Sequence, residues 1–473
     1  MLIYTINLTL HLIDWIILLF YILLLIFLAG RLIRREKGDI EQFLVGGRRL
    51  TLPSFVATTV STWYGGILGV GEYAYSYGLS NWLVFGVPYY LAALLFAALI
   101  AKRANAARLL TIPDQLQAAY GSPMAVGGAA MVFVMTVPAA YVLMLGVLLN
   151  LLFTMPLWLG VTIAAILSTF YVLIGGFRGD VRTDWVQFVL MYSVFAVMLI
   201  VLATGYGGWT FLKAHLPVEH FQWHGGNSPA YIASWYFIAL AALIEPSFYQ
   251  RAYAAKSPQV ARAGILWSIP FWMLFDFMTT TVGLYSRAIL GSGLSGVDAF
   301  PKMGDLTLSC GLKGLFLVGM IATIQSTVDS NSLLAASTLS HDILWRIKCW
   351  RVKISEVGLT RWGLIFSTAL AVGIALWSES VVEIWHKLGS LGTPALMLPL
   401  ALSYSQRWRY RPSWALANLI IASLLVAIWF IMRSYCGKPP FPWMIEPIFI
   451  GLFVAGLLLG LDHLTRRKNS YLT

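Results

Sequence analysis

The sequence predicts an all-α polytopic membrane protein, and three observations carry that expectation. Of its 473 residues 59% are hydrophobic and only 11% charged, whereas a soluble domain carries about a quarter charged residues. The apolar residues fall in long runs, and at ~20 residues per bilayer-spanning helix about thirteen spans nearly exhaust them. The Lys and Arg residues lie between those runs. What remains is short loops, so 1–473 reads as one membrane domain with no soluble catalytic domain attached.

A window of about 19 residues places the spans at 11–31, 52–76, 80–101, 123–149, 156–176, 184–205, 230–249, 263–289, 311–340, 362–378, 384–404, 413–432 and 443–463. No Lys or Arg precedes the first span, whereas Arg31, Arg34, Arg35 and Lys37 close and follow it. That order is the reverse of a signal peptide, so the helix is retained with its N-terminus outside. The same orientation gives most of the 32 Lys and Arg to cytoplasmic loops. Lys213, Arg287, Lys302, Lys313, Lys387, Arg433 and Lys438 fall outside or near outer helix ends. An odd number of spans then leaves the C-terminus cytoplasmic.

The second span is crowded with Gly65, Gly66, Gly69 and Gly71. Each helix-interior glycine costs ~1 kcal/mol relative to alanine, so the segment is expected to be discontinuous. Irregular backbone at membrane depth survives where protein buries it or where it lines a cavity, which points to a binding site. Close helix packing through small residues is the plainer alternative. The seventh span carries Glu245-Pro246 near its inner end.

Several function classes are not expected. The net charge of +12 would suit nucleic acid only on a folded soluble face. Cys310, Cys349 and Cys436 show neither metal spacing nor a disulfide framework. The histidines show no metal spacing, and the glycine cluster lacks the strand a dinucleotide site needs. No catalytic or cofactor-binding residue stands out, and the chain is not expected to be an enzyme.

Five carboxylates sit in or beside spans: Glu72, Asp184, Glu245, Asp276 and Asp329. Charged groups there are costly and are functional candidates by default. No Lys or Arg is expected deep in the spans, so a small cation or a proton is the natural counter-charge. Asp276 and Glu245 read equally well as helix–helix polar contacts. In the ninth span, Ser326-Thr327-Val328-Asp329-Ser330-Asn331-Ser332 is dense in oxygen-bearing side chains, the ligands a hard cation prefers. Ser326 and Ser330 share a helix face, with Asp329 alongside. The alternative is hydroxyls bonding back to their own helix.

With these residues the chain resembles the sodium:solute symporter family. The resemblance rests on motifs in order. Gly46-Gly47-Arg48 precedes the glycine-rich span. Gly175-Gly176-Phe177-Arg178, then Thr183-Asp184 and Gln187, enter the sixth. Pro246 to Arg251 leads to Ala254-Ala255-Lys256-Ser257 and Ala261-Arg262. Ser326 to Ser330 is followed by His341-Asp342-Ile343.

The resemblance implies the leucine-transporter fold, with inverted five-helix repeats at 52–205 and 230–404. A leading helix at 11–31 and two trailing helices at 413–463 complete one transport domain. It implies a sodium site formed by the carbonyls of Ser61, Tyr64, Thr323 and Ser326 and the hydroxyl of Thr327. A second ion site, present in some members, would use Asp184, Ser326 and Ser330, with Asp329 where a hydroxyl is usual. Trp63, Gly65, Gly66 and Glu72 are the candidate solute contacts. Proline carriers have an acid at the Trp63 position and aromatics where this chain has Ile238 and Ala242, so proline is not the favoured solute.

The expected function is sodium-coupled symport of a small organic solute across the plasma (inner) membrane by alternating access. Proton coupling through Asp184 or Asp329 is one alternative and a solute sensor another, although nothing beyond a short tail follows the last span. Sodium is the coupling ion and no other cofactor is expected. The partners are the solute, sodium and the lipid bilayer, with no nucleic acid and no obligate protein partner.

Overall fold

Residues 8–30, 39–346, 354–378, 381–436 and 446–470 are described by a computed structural model, which among them contains helices and no strand. Helical segments stand at each expected span. Residue 31, residues 443–445, Arg34, Arg35, Lys37, Cys349 and Lys438 lie outside the described residues. Eight stretches are long and apolar enough to cross a membrane by length and composition. The segments around residues 52–77 and 312–337 are not among them, because one is broken and the other carries the polar run.

Helix α1 (Leu12–Gly30) shows how a lipid-facing helix is read. Asp14, Leu18, Tyr21 and Leu25 form a buried stripe, while Leu12, Ile16, Leu19, Phe20 and Leu23 are each more than half exposed. That apolar outer face suits hydrocarbon, not water. α2 (Leu52–Trp63) is followed by a 3₁₀ turn at Tyr64–Gly66 and by α3 (Ile67–Tyr77). The expected discontinuity is therefore a tightening of the helix. Tyr64 (φ −90°, ψ 17°) and Gly66 (φ −80°, ψ 20°) leave the regular α ladder there.

α4 (Val87–Leu99) leads by loop helices to α5 (Ser122–Thr136) and α6 (Ala139–Phe153), which are separated at Val137-Pro138. α7 (Leu157–Tyr206) contains both the fifth and the sixth expected spans. A cytoplasmic loop was expected around Arg178 and Arg182; instead helix resumes directly after Gly176. That residue has φ 50°, in the left-handed region where glycine carries no side-chain penalty. A Cβ there would also lie 2.7 Å from the Phe43 ring.

α8 (Pro229–Ile238) runs into a 3₁₀ segment, Ala239–Ile244. Glu245 is extended (φ −63°, ψ 111°), and α9 (Pro246–Ala254) begins after it. α10 (Pro258–Leu290) precedes α11 (Leu312–Ser337), which ends in a π turn at Thr338–Leu344. α12 (Glu356–Ser378), α13 (Val381–Leu402), α14 (Pro412–Cys436) and α15 (Pro447–Ser470) complete the bundle.

α11 occupies the middle of the bundle and packs against α7, α1, α12, α6 and α2. Every residue from Ala322 to Ser337 is buried. Lipid would leave the polar groups between Gln325 and Ser332 unpaired, so neighbouring helices must enclose them. Asp14 of α1 fixes the N-terminal end of α11, accepting the Gly311 and Gly314 N–H groups at 2.8 Å each. These are donors that an α-helix leaves free at its start.

Candidate functional site

The central polar run of α11 meets the α2–α3 junction at Gly65. A Cβ on Gly65 would lie 2.2 Å from Thr327 Oγ1, and one on Gly66 would lie 2.2 Å from the Trp385 ring. Both glycines have negative φ, so close approach accounts for them. The Thr327 hydroxyl donates to the Thr62 carbonyl at 2.6 Å. With its proton committed there, its lone pairs remain as acceptors for a cation. Ser61, Tyr64, Thr323, Ser326 and Thr327 are all buried, and the 3₁₀ turn begins among the residues expected to lend carbonyls. The hydroxyls of Ser61 and Thr323 donate back to the Ala57 and Gly319 carbonyls of their own helices.

Asp184 was expected at the start of the sixth span, next to a short loop. It instead sits well inside the second arm of α7 and is fully buried. Ser326 donates to its Oδ1 at 2.5 Å and the Thr58 hydroxyl donates to its Oδ2. Ser330 lies beside it but donates to Asp180 Oδ2 at 2.8 Å.

The expectation that no basic residue lies deep in the spans is corrected here. Arg251 of α9 is fully buried, and its Nη2 lies 3.5 Å from Asp180 and 3.7 Å from Asp184. The same nitrogen donates to Thr62 and Ser330 at 2.7 Å and to Thr58 at 3.0 Å. A guanidinium thus lies against Asp184 and Ser330, two of the four residues read as a second ion site. Pro246 to Arg251 looked like a loop entrance, so nothing in its composition marked the depth of Arg251; Asp180 was hidden by the loop expected around it.

Asp329 is also fully buried, but both carboxylate oxygens lack a hydrogen-bond partner, so it does not join the Arg251 cluster. Glu72 packs against the turn at Gly296, where a glycine Cβ would lie 2.6 Å from its Cγ. The structure does not bring Glu72 to the central cavity.

That cavity, of about 220 Å³, is bordered by Trp63, Gly66, Thr62 and Thr327, and also by Glu245 and Asp276. Trp63 packs on Phe248 and Trp272 at ring-centroid distances of 5.1 and 5.4 Å while keeping one side on the cavity. Of the candidate solute contacts, Trp63 and Gly66 line it directly, while Gly65 backs onto Thr327. Glu245 and Asp276, read equally well as helix contacts from sequence, both face the cavity.

A second polar cluster closes the far end of α11. His341 bonds to Glu356 and lies 3.4 Å from Asp114, and Arg346 reaches Asp114 at 3.1 Å and Asp342 at 3.4 Å. Asp114, His341 and Asp342 lie close enough together to hold a cation, but Arg346 already supplies their counter-charge. Burial alone would lower the His341 pKa, yet its bonds to Asp114 and Glu356 outweigh that and raise it to about 10. A raised folded-state pKa gives stability that is complete below the free-histidine value near 6.5 and is lost as pH rises towards 10. Thermal stability of the wild-type protein should therefore decline across that window, and His341→Gln should flatten the decline. Parallel profiles for the two proteins would show that His341 does not hold this end together.

Comparison with known proteins follows from this geometry. Residues 43–402 match the sodium:solute symporter family. The osmoregulated proline transporter of Bacillus subtilis (strain 168) is 26% identical over 467 residues, covering 92% of each chain. The sodium/pantothenate symporter of Escherichia coli (strain K12) is 24% identical over 431 residues, covering 86% of this chain and 88% of its own. Among solved structures, a Na⁺-coupled sialic acid symporter in a substrate-bound outward-open state aligns with a TM-score of 0.77 at 14% identity. The alignment covers 95% of this chain and 97% of that one. A nucleobase-cation-symport-1 family transporter in a closed conformation aligns at 0.55 and 12% identity, covering 89% and 95%. These likenesses give the fold as that of leucine-transporter-type carriers. The chain is an integral multi-pass membrane protein and a transporter rather than an enzyme, and it belongs to the sodium:solute symporter family.

Proposed function

We propose that this chain couples import of a small organic solute to sodium by alternating access, with sodium held where α11 meets the α2–α3 junction. The observation that carries the reading is Thr327. Its hydroxyl is buried, has its proton committed to the Thr62 carbonyl and borders both the 3₁₀ turn and the solute cavity. An ion bound there draws α2 and α11 together beside the cavity, so ion and solute each favour the same conformation. The energy comes from the ion, since one elementary charge crossing 100 mV is worth ~2.3 kcal/mol.

The division into repeats at 52–205 and 230–404 belongs to the same proposal. Its support is that the second and seventh spans are both interrupted by 3₁₀ segments, at Tyr64–Gly66 and Ala239–Ile244. The second ion site at Asp184, Ser326, Ser330 and Asp329 is less favoured, because Arg251 lies beside Asp184 and donates to Ser330, although one guanidinium offsets only one of the two carboxylates Asp180 and Asp184.

The test is Thr327→Ala. Losing the one side-chain ligand should cost ~1–3 kcal/mol of ion binding, roughly 5- to 150-fold in the sodium concentration needed for half-maximal stabilisation of the purified protein. An unchanged sodium titration would remove Thr327 from the site.

A further inference from the structure

The cavity has a chemical character that the family resemblance does not supply. Its walls include five large rings, Trp63, Tyr89, Tyr141, Trp235 and Trp385, brought from separate parts of the chain. Trp63 and Tyr89 meet edge-to-face at 5.4 Å, and Tyr141 and Trp385 are tilted at 5.9 Å. Aromatic faces attract cations through their quadrupole, most strongly where water is excluded, and rings arranged around a space recognise ammonium groups.

Two carboxylates, Glu245 and Asp276, share this wall, and no Lys, Arg or His is among the described residues lining it. Glu245 accepts the Ser247 N–H at 3.3 Å, capping α9 at the helix break, while Asp276 accepts the Tyr90 hydroxyl. Arg251, the buried guanidinium nearby, is spent on Asp180 and Asp184. A solute anion entering here would meet negative charge with no basic side chain to receive it. Two carboxylates and no basic side chain among the described lining residues suit this wall to a cation rather than an anion.

The rings also carry donors. The indole N–H groups of Trp235 and Trp385 lie beside the hydroxyls of Tyr231 and Tyr141. Such N–H groups at the edge of a cavity can also donate to a ligand that offers an acceptor. A neutral hydroxyl or carbonyl oxygen suits a neutral N–H.

Resting on the reading of this cavity as the solute site, we infer that the solute is a small organic cation. It carries an amine or quaternary ammonium group, held by the aromatic wall and Glu245, and no carboxylate. The cavity volume of about 220 Å³ suits a small molecule.

Choline and glycine betaine make a sharp pair of probes, because both present a trimethylammonium and only the second adds a carboxylate. L-Proline and pantothenate complete the set. Thermal stabilisation of the purified full-length protein in sodium is the binding readout. Choline is expected to act at about tenfold lower concentration than glycine betaine, with proline and pantothenate weaker still, and Glu245→Gln to weaken choline by about tenfold. The stabilisation by sodium alone reports whether that variant is folded, and the ranking of probes on the wild-type protein decides the matter without it. Preference for glycine betaine, proline or pantothenate overturns the inference. Sodium-gradient uptake into proteoliposomes separates the two claims: uptake of proline without choline keeps symport and removes the cation. Choline binding without sodium-driven uptake keeps the cation and removes symport.

Discussion

Replacing Arg251 with glutamine should destabilise the protein by ~3–5 kcal/mol, because it leaves two fully buried carboxylates without their counter-charge. Asp180 and Asp184 have no exposure to water, and Arg251 is the group both of them approach. Thr58, Thr62 and Ser330 would also lose their shared donor. Asp184→Asn should be milder, since Asp180 still balances the guanidinium and the amide retains an acceptor for Ser326. Chemical denaturation in detergent micelles measures both, and equal stability of Arg251→Gln and wild type would show that the pair does not hold α7, α9 and α11 together.

The second large effect is expected at Gly65. An alanine there places its Cβ 2.2 Å from Thr327 Oγ1 and 2.3 Å from its Cβ. Threonine is stiff at χ1, so the clash is relieved by separating α2 from α11 rather than by rotating a side chain. Overpacking of this kind costs ~1–3 kcal/mol, and here it also displaces the proposed sodium ligand. Gly65→Ala should therefore lose sodium-dependent stabilisation. Gly69→Ala is the control, since its Cβ meets only the Trp385 ring at 3.2 Å. A sodium response in Gly65→Ala equal to that of wild type would contradict the close approach.

These two sites show what could and could not be read from the chain. The glycine cluster pointed to an irregular second span because glycine inside a helix has a local cost. Its form, a 3₁₀ tightening pressed against Thr327, depends on a helix some 260 residues away. The polar run of α11 was legible because lipid cannot accept it, and the structure encloses it completely. Arg251 was not legible: Pro246 and the nearby Lys256 resemble an ordinary loop entrance, and burial of a guanidinium is set by partners on other helices. Gly176 misled in the opposite sense. The glycines and basic residues around it resemble a loop between two spans, yet a single left-handed residue lets helix resume at once. The solute cavity was hidden for a related reason, since its rings are spread from Trp63 to Trp385 and hydropathy cannot tell a cavity wall from packing.

The central claim is that a sodium gradient drives solute accumulation, and ion-specific uptake into proteoliposomes tests it most directly. Choline, glycine betaine, proline and pantothenate are offered with inward sodium or proton gradients imposed separately. Accumulation above the external concentration under a sodium gradient, abolished by a sodium ionophore and absent under a proton gradient in sodium-free buffer, is the predicted result. Equal accumulation under a proton gradient without sodium would contradict the account.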